Sequence, residues 1–323
     1  MLSRPAISLL KQLASEGVSP WLDAANAEDL FPGALSHGEA AGLVHGIVAR
    51  TLAPAALRRA CDALWDTFVT SDGLHGRVSV PVDPRAAGDA KALVAAARHV
   101  HAVVGRANLQ ARIPATPAGL LALAECLALG ISVEAGLVFS AERYEAVLQA
   151  YLTGMERALA AGLDLRGITA TASVPVGVLD SEVNTRLAAL PGPALPAARA
   201  RDTAALAVAR EVYGVREQRL ATGWWQVLRA AGATPPGLLW TTGSPRHISA
   251  LIGWNTAHAF SLEALEAAAL QEELRGDTLL GGHEEGRRAL DALARLGIRM
   301  PDVAQELETV GLTRLRRAWT LRS

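Results

Sequence analysis

The chain has 323 residues, half of them hydrophobic and a fifth charged, which is enough to bury a full core as one large α/β barrel or as two ordinary domains. Its 31 basic and 32 acidic residues leave a formal net charge of -1, so no electrostatic footprint for nucleic acid or an anionic membrane is expected. Cys61 and Cys126 are the only cysteines, with no CxxC pair and no Cys/His ligand spacing, which argues against a disulfide framework and a zinc site and points to a reducing cytoplasm.

Residues 1–17 carry Lys11 and Glu16 among periodic leucines, so they read as an amphipathic helix and lack the unbroken apolar core of a signal peptide. No uninterrupted apolar stretch approaches the roughly 20 residues that span a bilayer. Strand-like runs follow at 20–24, 46–50, 77–82, 109–113, 132–138, 169–174, 237–241 and 250–253. Between them, 86–103, 117–129 and 141–160 place apolar residues at three- and four-residue spacing, the helical period. Pro191, Pro193 and Pro196 around Gly192 predict a surface loop over 190–200, and helical patterning resumes at Asp202. Beyond the eighth strand, 261–269 and 285–295 predict further helices, and a final one ends near Arg317. Arg314, Arg316, Arg317 and Arg322 fit the solvated face and end of that helix. Eight βα units predict a single (β/α)8 barrel domain over residues 1–323, with additional C-terminal helices.

The stretch Asn108-Leu109-Gln110-Ala111-Arg112-Ile113-Pro114-Ala115-Thr116 resembles the fourth-strand signature of transaldolases, roughly N-L-M-I-K-I-P-A-T. The likeness covers almost the whole chain and is nearest the actinobacterial type. Gly17-Val18-Ser19-Pro20-Trp21-Leu22-Asp23 is similar to the family's first strand, and Gly130-Ile131-Ser132-Val133 with Phe139-Ser140 and Arg143-Tyr144 to its fifth. Ala172-Ser173 with Asp180 and Glu182-Val183 is similar to the sixth. Leu239-Trp240-Thr241-Thr242-Gly243 resembles the seventh, and Leu251-Ile252-Gly253 leads into an altered eighth.

The resemblance implies a TIM barrel whose chemistry sits at the C-terminal ends of its strands. At the position of the family's Schiff-base lysine stands Arg112, whose guanidinium is always protonated and offers no amine lone pair. The phosphate-binding arginine is matched by Val178, the third-strand glutamate by Pro81, and the fifth-strand N-V-T by Glu134-Ala135-Gly136. The second-strand asparagine aligns with Arg50. Asp23 matches a proton carrier of the family.

Two readings of Glu134 stand side by side: it neutralises Arg112 on the adjacent strand, or it serves as a general acid or base with Asp23 as second proton carrier. Asp23 is also placed to cap the following helix with Asn26. Arg112, Ser173, Trp254, His258, Trp240 and Arg50 are the candidate substrate-binding residues, with Trp254 and His258 suited to an apolar or aromatic substrate. A lone histidine calls no metal, and no cofactor is expected.

Two functions follow as expectations. One is a barrel repurposed as an acid/base enzyme, independent of a lysine Schiff base. It would join carbons on a non-phosphorylated carbonyl or imine substrate by an aldol-type or Pictet–Spengler-type condensation in specialised metabolism. The other is a noncatalytic pseudo-transaldolase that binds a metabolite or a protein partner. The sequence carries no signal for oligomeric state.

Overall fold

Short apolar runs separated by amphipathic stretches bury both faces of a parallel sheet only if helices cover it, and in this computed structural model the sheet also closes on itself. The structure describes residues 2–24, 42–50, 52–191 and 194–321. The strands are β1 (Val18–Ala24), β2 (Gly46–Ala49), β3 (Arg77–Pro81), β4 (Leu109–Pro114), β5 (Val133–Gly136), β6 (Ala170–Val174), β7 (Gly237–Thr241) and β8 (Thr256–Phe260). They pair in sequence order, all parallel, and β8 returns to β1, which makes a (β/α)8 barrel with further helices after its last strand.

The helices around it are α1 (Arg4–Ser15), α2 (Pro54–Ala63), α3 (Trp65–Thr70), α4 (Ala90–Val104), α5 (Pro117–Ala128), α6 (Ala141–Ala160) and α7 (Val176–Ala189). They continue with α8 (Ala194–Ala200), α9 (Ala204–Leu220), α10 (Gly223–Ala230), α11 (Pro245–Ala250), α12 (Leu262–Gln271), α13 (His283–Arg295) and α14 (Met300–Thr320). Local chemistry sets their starts. The Asp89 side chain caps α4 by accepting from the amides of Lys91 and Ala92, Thr116 caps α5 ahead of Pro117, and Ser140 caps α6. Gly105, at φ 63°, takes the left-handed turn that ends α4.

Two expectations are corrected. The eighth strand lies at Thr256–Phe260, because the apolar run at 250–253 is the end of α11 and a buried turn with Leu251 and Ile252 wholly covered. The proline-rich stretch is not loop throughout: α8 starts at Ala194 and takes Pro196 into its first turn, where no amide donor is needed. Gly192, Pro193, Asn26 and Arg322 lie outside the described residues.

Outward-facing strand residues such as Ile113, Val133 and Val174 pack under the helices. A separate cluster of Trp21, Val48, Leu239, Ala257 and Ala259 fills the barrel itself. Trp21 lies flat against Gly46, and a Cβ at residue 46 would overlap the indole ring. Below the apolar plug, Gln110 donates to the hydroxyls of Thr169 at 2.9 Å and Thr171 at 3.3 Å.

Candidate active site

Strand side chains alternate between the barrel interior and the helical layer. On β4, Ala111 and Ile113 pack outward, so Gln110 and Arg112 face inward. On β5 the outward pair is Val133 and Ala135, which turns Glu134 in, and on β6 Ala172 and Val174 leave Ser173 inside. Leu22 and Ala24 pack outward from β1 and set Asp23 inward. Arg112 is in register with Pro81 on one side and Glu134 on the other. Asp23, Arg112, Glu134 and Ser173 therefore share the C-terminal half of the interior, with Arg50 just past the end of β2.

The contacts differ from those the sequence suggests. Arg50 makes a bidentate pair with Asp23, its Nε donating to Oδ1 at 2.9 Å and its Nη2 to Oδ2. The arginine side chain is 48% exposed and the aspartate 15%, so the pair sits at the rim. Arg112 extends across β3 and donates from Nη2 to the carbonyl of Ala49 on β2. Its aliphatic stem passes over Gly136, where a Cβ would be in ordinary contact at 3.7 Å from the arginine Cγ. Glu134 is 1% exposed and its Oε2 has no hydrogen-bond partner. Although the two residues are register partners, no ion pair joins Arg112 to Glu134, so the charge-neutralising reading fails. Ser173 Oγ donates to the Ala135 carbonyl at 3.4 Å.

Three sequence candidates lie elsewhere. Trp240 and His258 alternate with the interior residues Leu239, Ala257 and Ala259, so both project into the helical layer. His258 Nε2 bonds the Leu251 carbonyl at 2.8 Å, and burial pushes its pKa down to about 4 despite that bond. Trp254 is 68% exposed at the opposite end of the barrel, where its ring covers Gly17 ahead of β1.

One buried pair joins Asp180, part of the sixth-strand motif, to His247, which no motif in the sequence marks. His247 Nε2 and Asp180 Oδ2 are 3.0 Å apart, Asp180 Oδ1 accepts from the Ala205 amide, and Gly243 N donates to His247 Nδ1. The pair ties the loop after β7 to α7 and α9 and forms one wall of a cavity of about 740 Å³ outside the barrel mouth. All its polar atoms in contact are satisfied within the chain, which gives it a tethering role. Among the described residues no group of three or more His, Cys, Asp or Glu is placed to hold a metal ion, and no helix is long and apolar enough to cross a membrane.

Residues 22–321 match the model of the Transaldolase/Fructose-6-phosphate aldolase family. The chain belongs to that family. A transaldolase from Acidothermus cellulolyticus is 40% identical over 279 residues, covering 84% of this chain and 74% of its own. Transaldolase 2 of Streptomyces avermitilis is 36% identical over 351 residues, covering 96% and 94%, and a Mycolicibacterium paratuberculosis transaldolase is 38% identical over 280 residues, covering 84% and 74%. Membership makes the chain one of a family of enzymes acting on small molecules. The expectation of a repurposed condensing enzyme is thereby overturned: relatives at this identity, over most of the chain, carry the name transaldolase. The noncatalytic reading gives way with it.

Proposed function

We propose that this transaldolase-family member handles a transaldolase-type substrate, an open-chain ketose or aldose, at the C-terminal mouth of the barrel. The observation that supports this is the convergence of Asp23, Arg112, Glu134 and Ser173 from four strands, with Arg50 just past a fifth, on one end of a barrel matched to the family over residues 22–321. Such a ring offers guanidinium donors and carboxylate acceptors to a polyhydroxylated carbonyl compound. Residue 112 supplies no amine for an imine. The chain's lysines are Lys11 on α1 and Lys91 in the first turn of α4, both exposed and neither on a strand. In this reading Arg112 meets a substrate oxygen through its N–H groups, and the open Oε2 of Glu134 accepts from a substrate hydroxyl.

The test is to incubate the protein with fructose 6-phosphate and an aldose phosphate acceptor, follow new ketose by mass spectrometry, and add borohydride to a parallel sample. Conversion or saturable binding that Glu134→Gln weakens, with no mass added to the protein, is the expected result. Neither binding nor conversion would sink the substrate class. A stoichiometric adduct would show that another amine serves the site.

A further inference from the structure

We propose that the N-terminal end of the barrel, opposite the mouth, holds one small monovalent anion anchored by Arg77. Arg77 opens β3 and is 1% exposed. Its Nε donates to the Gly73 carbonyl at 2.8 Å, its Nη1 to Ser132 Oγ at 3.3 Å, and its guanidinium lies 5.1 Å from the centre of the Phe68 ring. Nη2 is buried with no partner, and among the described residues no carboxylate pairs with this arginine. Carbonyl, hydroxyl and ring spread the charge without cancelling it, and an uncompensated buried charge is strongly disfavoured.

Beside the guanidinium lies a cavity of about 50 Å³. Ser19, His75, Gln110, Thr169 and Thr171 contribute hydroxyl, imidazole and amide groups to its wall, and among the described residues no carboxylate lines it. His45 stacks on His75 at 4.2 Å, and burial pushes both imidazoles down in pKa, His45 to about 4. Arg77 is thus the charge that faces this space at neutral pH. A water needs roughly 10–15 Å³ of such volume, so the cavity takes an ion the size of chloride, nitrate or formate and excludes a sugar phosphate. Charge, a described wall of neutral polar groups without a carboxylate, and size agree on the same ligand.

The experiment compares thermal unfolding of the intact protein in sodium chloride and in sodium gluconate at equal ionic strength, with bromide-soaked crystals as a second measurement. Chloride is expected to raise the Tm by about 2 °C, as a site filled well above its Kd would, and Arg77→Met is expected to abolish the difference. Anomalous density for bromide is expected against Arg77. If Arg77→Met does not fold, Ser19→Ala must reduce the chloride effect. Equal Tm values in the two salts, or a chloride effect unchanged by these substitutions, would overturn the proposal. Bromide density without any solution effect would mark an adventitious ion only and overturn it equally.

Discussion

At the scale of single residues, the site turns on what Arg112 and Glu134 do not do to each other. With no ion pair to break, Glu134→Gln is expected to leave the urea midpoint nearly unchanged while lowering turnover about 100-fold if the carboxyl moves a proton. A large loss of stability with full turnover would restore the charge-pairing role. Arg112→Lys gives a cleaner readout of orientation, because it puts an amine at the strand-four position. Borohydride with fructose 6-phosphate should then add one sugar mass to that variant, and a failure to trap would place residue 112 away from the bound carbonyl. The half-exposed Arg50 contributes little to stability, so Arg50→Ala should cost less than about 1 kcal/mol in urea unfolding. The strand positions of Arg112 and Glu134 were legible because β4 and β5 carry family motifs. Trp240 was misplaced because a strand reverses its facing at every residue, and His258 because the eighth strand was expected at 250–253, which set it in the loop beyond instead of within β8.

At the scale of elements, the alternation of short strand-like runs with helical periodicity announced the barrel, and β1 to β7 lie within a few residues of their expected bounds. β8 does not, since the apolar Ala-Leu-Ile ahead of Thr-Ala-His-Ala-Phe imitates a strand. The pairing of β1 with β2 depends on a contact no period reveals. Gly46 leaves room for the Trp21 ring, so Gly46→Ala should overpack the barrel and destabilise by about 1–3 kcal/mol. An unchanged urea midpoint would mean that the ring does not lie there. The bidentate Asp23–Arg50 pair was equally hidden, because it joins two strand ends through a register fixed only when the barrel closes.

At the scale of the whole molecule, buried histidines set the acid response. His45 and His258 are each held near 4, well below the ordinary 6.5, because burial disfavours their charged forms. Between those values the unfolded chain binds protons that the folded chain refuses, so stability is fully present above about 6.5 and is lost as pH falls toward 4. His258 alone should account for roughly 3 kcal/mol across that window. Asp62, Asp83 and Asp164 are held low by Arg106, Arg85 and Arg166, and what they contribute is lost only at more acidic pH, below the usual carboxylate range. Urea midpoints measured at pH 7.5 and 5 should therefore differ. Equal midpoints would refute the burial of both imidazoles.

Helix α14 runs along the rim of the mouth. Its Glu308 holds Arg143 at the start of α6, its Glu306 holds Arg186 of α7, and its Arg316 donates to the carbonyl of Pro84 after β3. Leu137, in a left-handed conformation at φ 61° just past β5, presses its methyl groups against Gly311 of the same helix. All of these fastenings come from residues after Met300, whereas the eighth strand ends at Phe260. A chain growing from its N-terminus therefore has every strand of the barrel in hand before the segment that fastens the loops after β3 and β5 has been made. The scaffold precedes its site in time, and the mouth is the last part of the molecule to be finished.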